Sequence, residues 1–208
     1  MLVSDFITEL KPIIKKKAGN ENYDDIELYG YLKSVYVQLQ KDKPIFTKFI
    51  ILKTVKDEMT YTLDEEVSDV TFLSTAGSEY KKQRIDNFHK IYASQISNEP
   101  IFSIDLNQVY LYPKPSATDM DIDLSANILK EITGEFDTAV FEVPLMLRES
   151  LRLLFLSRAF EKIPNKVIDK TYVDLSLHYL KRYKQEIEEV KKASKIRHRN
   201  VKSNFQRF

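Results

Sequence analysis

Residues 143–190 read VPLMLRESLRLLFLSRAFEKIPNKVIDKTYVDLSLHYLKRYKQEIEEV, and this stretch decides the fold. It predicts two helical segments broken once, at Ile163-Pro164-Asn165. The second segment carries apolar or aromatic residues at Ile168, Tyr172, Leu175, Tyr179, Tyr183, Ile187 and Val190. Their steps of 4, 3, 4, 4, 4 and 3 put all seven on one side of a 3.6-residue helix. Asp169, Asp174, Lys181, Arg182, Lys184, Gln185, Glu188 and Glu189 take the other side. Each stripe residue contributes about 1.5–3 kcal/mol when fully buried, so the stripe needs a partner surface. Aromatic rings at this spacing also suit a stacking platform for a ligand or nucleic acid, but a core stripe is the ordinary reading.

The first segment behaves differently. Pro144 fits a first helical turn, where its missing N–H is no loss. After it, Leu145, Met146, Leu147, Leu151, Leu153, Leu154, Phe155, Leu156, Ala159 and Phe160 spread around most of the circumference. A helix apolar on nearly every side is either the centre of a large core or pressed between two bodies. The second case would make Leu147, Leu151, Leu154 and Phe155 inter-subunit packing residues.

Outward from this stretch, the N-terminal residues repeat the helical period. Residues 4–17 place Phe6, Leu10, Ile13 and Ile14 on one face, with Pro12 as a kink. Lys15-Lys16-Lys17 followed by Gly19-Asn20 suits a helix end, cations meeting the negative dipole and glycine taking the left-handed turn. Asp24 with Glu27 three residues on resembles a capping box and opens a second helix to about Lys41. Leu28, Tyr29, Leu32, Val35, Tyr36 and Leu39 form its apolar face. Gly30, inside it, costs about 1 kcal/mol relative to alanine and suggests close approach of a neighbouring element.

Between about Ile45 and Leu129 the period changes to two. Phe46–Val55 and Met59–Leu63 flank a Lys56-Asp57-Glu58 turn and read as a hairpin. Val70–Leu73 and Phe88–Ala93 read as short strands, and Ile101–Ile104 and Val109–Tyr112 as a pair joined around Asn107. Met120, Ile122, Leu124 and Ala126 alternate with Asp119, Asp121 and Asp123. The expected fold is α+β and mainly α: a helical bundle with a small antiparallel β region inserted between the second and third long helices. Residues 1–43 and 142–196 form the bundle, 44–141 the inserted β region, and 197–208 a basic C-terminal tail.

At 208 residues, with 43% apolar and 30% charged side chains, the chain suits one domain or one domain with an insertion. Its net charge of +1 makes no whole-chain case for nucleic acid or membrane. Charge is nonetheless uneven. Lys191, Lys192, Lys195, Arg197, Arg199, Lys202 and Arg207 face no Asp or Glu after residue 190. With those seven removed from the total, the first 190 residues carry a net −6. There is no cysteine, which excludes disulfide and thiolate chemistry and is compatible with intracellular assembly. No signal peptide is expected, since a basic region followed by an apolar run is missing at the N-terminus. No apolar run reaches the roughly 18–20 residues of a membrane span. Four glycines argue against phosphate-cradling loops.

Chemistry-bearing patterns are few. Asp119-x-Asp121-x-Asp123 opens like a calcium loop, but the sixth and twelfth positions, where such a loop needs Gly and Glu, hold Leu124 and Lys130. Alternation explains these aspartates as the wet side of a strand. His89, His178 and His198 are far apart and lack the companions a zinc site requires. No Gly-x-Ser-x-Gly, Gly-Lys-Ser/Thr or His-Glu-x-x-His occurs. An enzyme, a metal and a cofactor are not expected. The basic tail interleaves Phe205 and Phe208 with Lys202 and Arg207, which suits docking to a partner better than simple solvation.

The layout resembles the tailed-bacteriophage head–tail connector family, the adaptor rings beneath the portal. Three features carry the likeness: Tyr23-Asp24-Asp25-Ile26-Glu27-Leu28 with Tyr31-Leu32, the strand Val109-Tyr110-Leu111-Tyr112-Pro113-Lys114-Pro115, and Val143-Pro144 opening a Leu-rich helix ahead of a long Tyr-bearing helix and tail. The resemblance implies a homo-oligomeric ring, commonly of twelve copies, joining the portal to a downstream tail or neck protein. It also implies a channel for genomic DNA, which passes without sequence-specific binding, and a place in the virion neck after assembly in the host cytoplasm. Portal docking falls to Lys191, Lys192, Lys195, Arg197, Arg199, Lys202, Phe205, Arg207 and Phe208, and the β region faces neighbouring subunits or the next tail component. The alternative expectation is a nucleic-acid-binding module acting through the same basic tail.

Overall fold

The computed structural model describes residues 1–18, 23–95, 97, 99–161 and 170–205, and only the backbone of 17, 18, 170 and 195–205. The expected break at Ile163-Pro164-Asn165, the stripe residue Ile168 and the helix end at Gly19-Asn20 lie outside the described residues. The chain forms two compact units, Met1–Lys43 with Glu131–Phe208, and Pro44–Lys130.

The first unit is helical: α1 (Val3–Ala18), α2 (Asp25–Asp42), α4 (Leu145–Glu161) and α5 (Lys170–Phe205). α1 buries Val3, Phe6, Ile7, Leu10 and Ile14; of the expected face, Ile13 stays half-buried. Asp24 caps α2, its carboxylate accepting from the Ile26 N–H at 3.2 Å. The return half of a capping box is not made; Glu27 instead accepts from the Tyr31 hydroxyl. The N-terminus is tied down by a bridge from Leu2 to Val140, flanked by Val3 N–H to Ala139 O at 3.0 Å and Phe141 N–H to Met1 O at 3.1 Å. Phe6 then meets Phe141 and Phe155 edge-on, at 5.7 and 5.5 Å between centroids.

α4 and α5 close against each other through a reciprocal serine pair. Ser157 Oγ donates to Ser176 O at 3.0 Å and Ser176 Oγ donates to Ser157 O at 2.9 Å, both buried. Small side chains bring the backbones close there, and one helical turn on, Phe160 stacks on Tyr179 at 5.7 Å. Tyr183 donates to Asp42 at the end of α2; burial first, then this bond, raises its phenol well above the ordinary range. Tyr36, which donates to Glu142 O at 2.9 Å, is pushed up to about 12, chiefly by burial.

Gly30 does not serve close packing. It is exposed, and a Cβ there would meet nothing within 4 Å. Gly30→Ala is therefore expected to stabilise the chain by about 0.5–1 kcal/mol, read as a raised midpoint in urea at unchanged slope.

The second unit contains β1 (Phe46–Lys53), β2 (Thr60–Thr62), β3 (Val67–Thr75), β4 (Ser78–Glu79), β5 (Lys81–Lys82), α3 (Ile85–Ser94), β6 (Ile101–Asp105), β7 (Gln108–Tyr112) and β8 (Asp121–Ile128). Two four-stranded sheets form, in the orders β1-β8-β3-β4 and β2-β7-β6-β5. All described pairings are antiparallel except β5–β6. Tyr61, Val70, Leu73, Phe102, Val109, Leu111, Ile122 and Leu124 share one apolar core between the sheets.

This corrects the expectation of a mainly α helical bundle with a small β insertion. Two sheets with their own core make the strand-bearing part a body comparable to the helical one. Two local expectations change with it. The Lys56-Asp57-Glu58 turn does not make a hairpin: β1 pairs with β8, and β2 pairs with β7 in the other sheet. Residues 88–93 are helical, because Ile85, Phe88 and Tyr92 recur at steps of 3 and 4 and lay one side of α3 on the second sheet. Residues 131–141 lie with the helical unit, and α5 runs on through Phe205 without an interruption at 197.

Candidate functional site

Leu147, Leu151, Leu154 and Phe155, expected to pack between subunits, already have cover within one chain. All four are buried inside the chain's own helical unit, Leu151 and Phe155 completely. α1, α2 and α5 supply the cover that the sequence could not assign to one chain or two. α4 is apolar nearly all round because it is the middle of this unit.

Its exposed ends are another matter. At the N-terminal end Leu145 is 77% exposed and Met146 is also open, and Val140 and Leu2 are exposed on the adjoining bridge. Toward the C-terminal end, α2, α4 and α5 leave a groove of about 610 Å³. Leu154 and Phe160 line its floor, Val35 and Leu180 its walls, and Val173 and Leu177, the latter 57% exposed, its rim. Arg158 and Glu161 pair with each other at 2.6 Å beside it. Sixteen residues of α4, roughly 24 Å of helix, separate Leu145 from Glu161.

The inserted unit carries its own exposed apolar residues. Phe49 is 83% and Ile51 65% exposed on β1, and Leu106 stands out at the β6–β7 turn with φ +53°. A signal for β1 was present in sequence: Phe49-Ile50-Ile51-Leu52 is apolar in both phases of the strand period, so one phase had to face outward.

Of the expected portal-docking residues, Lys191 and Lys192 lie on α5, where Lys191 pairs with Glu188 at 3.2 Å. Nearby, Lys43 reaches Ser194 Oγ at 3.0 Å. Lys195, Arg197, Arg199, Lys202 and Phe205 lie on the continuing helix, and Arg207 and Phe208 lie outside the described residues. Lys191, Lys195, Arg199 and Lys202 are spaced by 4, 4 and 3 residues, which on a helix is one row.

The described histidines and aspartates do not converge. His89 sits edge-on to Tyr110 on α3, and His178 beside Tyr179 on α5. Asp121 pairs with Lys53 at 2.5 Å on the outer side of the first sheet. Among the described residues no group of three or more His, Cys, Asp or Glu is placed to hold a metal ion. Nor is any of their helices long and apolar enough to cross a membrane. Among the described residues, exposed apolar side chains lie at the two ends of α4 on the helical unit and on β1 of the β unit. No protein-family model matches the chain, and no curated protein matches it.

Proposed function

We propose that the protein is a structural head–tail adaptor of a tailed phage. Copies form a ring beneath the portal, commonly twelve in the family it resembles, and join the portal to a downstream tail protein in the virion neck. The observation that carries this reading is the pair of apolar surfaces at opposite ends of α4. Two different patches on one subunit suit a heterologous contact, knob of one copy into groove of the next, and a rotation that closes such a contact gives a ring. Leu145 and Met146 are the knob in this scheme; Val173, Leu177 and Leu180 border the groove. Lys191, Lys192, Lys195, Arg197, Arg199, Lys202, Phe205, Arg207 and Phe208 dock on the portal. The net −6 of residues 1–190 disfavours adhesion of DNA phosphates passing through the channel.

The test is the mass of the purified chain with and without the portal ring of the same virus. Multiple copies added per portal support the adaptor; a chain that ignores the portal and stays a monomer overturns it. Truncation after Val190, the last buried residue of the α5 stripe, is expected to abolish portal binding and leave the helical unit folded. The second reading, a nucleic-acid-binding module, is favoured by the same seven cations on a stretch without acids. It requires DNA affinity falling with log salt at a slope of about −6. A shallow slope with weak binding favours the portal.

A further inference from the structure

We propose that the open edge of β1 pairs with β1 of a second copy of this chain, antiparallel and centred on Ile50. The inference stands on the β unit alone and does not depend on the adaptor reading. β1 ends its sheet, and among the described residues no strand lies on its other side. Just past its end, Thr54 exchanges backbone bonds with the turn into β8: Thr54 N–H to Met120 O at 2.8 Å, Asp119 N–H to Thr54 O at 2.9 Å. The register with β8 then runs without a shift from Lys53↔Asp121 to Phe46↔Ile128. Antiparallel ladders alternate. Even-numbered residues therefore bond to β8, and Thr47, Phe49, Ile51 and Lys53 turn their N–H and C=O groups to the open edge.

Side chains say the same of that edge. Phe46, Ile50 and Leu52 face the core yet stay only partly buried, whereas Ile122, Leu124 and Ala126 beside them on β8 are buried. On the outer side, Phe49 and Ile51 are exposed. An eight-residue edge strand with apolar side chains outward is a template for another strand.

The occupant follows from the strand's own symmetry. Only registers that set odd-numbered residues against odd-numbered residues satisfy both edges. Centred on Ile50, Phe49 of each copy lies opposite Ile51 of the other, an aromatic against a β-branched side chain. Thr47 lies opposite Lys53, and all four edge residues are used on both strands. Moving the centre to Phe49 sets Ile51 against Thr47; moving it to Ile51 sets Phe49 against Lys53. No like charges meet in the Ile50-centred pair. Lys48, a lysine on the inner side of the kind that often discourages edge pairing, is already held by Asp64 at 3.1 Å and Glu66 at 2.9 Å.

The absence of cysteine makes the register directly testable in the full chain. Ile50 would face Ile50 of the second copy in a non-hydrogen-bonded pair, with Cα atoms about 4.5 Å apart, inside the range a disulfide spans. Ile50→Cys is expected to give a disulfide-linked dimer under mild oxidation. Thr47→Cys, more exposed but facing Lys53, is expected not to. Adding Phe49→Lys and Ile51→Lys to Ile50→Cys should slow cross-linking by about tenfold or more, since two apolar pairs become charged ones. Sedimentation of the unsubstituted chain provides the second measurement, a concentration-dependent dimer that the double lysine variant lacks. Cross-linking of Thr47→Cys as fast as Ile50→Cys overturns the pairing, as does an unsubstituted chain monomeric at every concentration. Slow amide exchange in β1 only when portal or tail protein is added overturns it too, and assigns the edge to a partner's strand.

Discussion

Replacing Phe155 by alanine is expected to destabilise the isolated chain by about 3–5 kcal/mol, a large share of the roughly 5–15 kcal/mol that holds a domain folded. Phe155 is completely buried, and its ring makes an edge-to-face contact with Phe6 of α1, 5.5 Å between centroids. Removing it takes away both the transfer of a large apolar group and an edge contact, and α1, α2 and α5 can only partly collapse into the space. For a chain of this size each 1 kcal/mol moves the melting temperature by about 2–4 °C, so a fall on the order of 10 °C is expected. The informative control is concentration. A residue inside its own protomer gives the same loss at any dilution, whereas an inter-subunit residue gives a loss that grows or vanishes with protein concentration. Equal losses across a wide dilution range are expected; a dilution-dependent loss would return Phe155 to an interface.

The same residue shows where sequence stops being informative. Pro144 and the leucines after it announce a helix, and their spread around the circumference announces burial on most sides. They do not say which chain covers them, because burial is a count of neighbours and the period carries no address. α1, α2 and the C-terminal part of the α5 stripe were legible through local signals: Phe6, Leu10 and Ile14 at helical steps, Asp24 as a cap, and the buried row Tyr179, Tyr183, Ile187 and Val190. Tyr172 and Leu175 of the expected stripe are half-buried. The sheets were half legible. Ile122, Leu124 and Ala126 point inward and Asp121 and Asp123 outward, as alternation requires.

Pairing was not legible, since a turn of Lys56-Asp57-Glu58 gives no sign that Thr54 bonds to Met120 while Tyr61 pairs with Val109. Residues 88–93 failed for a different reason. Tyr92 and Ile91 favour strands by composition, and the helical spacing of Ile85, Phe88 and Tyr92 becomes visible only when the window starts at Ile85. The interaction surfaces were the least legible. Leu145 and Leu147 look alike in sequence, yet one is exposed and the other buried.

That difference sets up the second large effect: Leu145→Glu and Leu177→Glu are each expected to disable ring closure while leaving the fold unchanged. Leu145 and Leu177 are 77% and 57% exposed, so a carboxylate at either position remains in water in the free chain. Substitutions of this kind stay within about 0.5 kcal/mol of the parent stability. In the proposed ring both positions are covered by a neighbour, and an unpaired carboxylate there costs several kcal/mol. Each 1.4 kcal/mol is tenfold, so loading of portal rings should weaken by about a hundredfold or more and lose its cooperativity.

The two variants fail at different ends, and that asymmetry is diagnostic. A Leu145→Glu copy keeps its groove and a Leu177→Glu copy keeps its knob, so an equimolar mixture can form one sound contact between unlike copies and none between like ones. Alternating around the portal, the mixture should regain up to half the contacts, seen by mass as pairs containing one copy of each variant. An isologous contact between like patches would instead give no rescue. If either single variant fills portal rings as the unsubstituted chain does, the knob-and-groove contact is not what closes the ring.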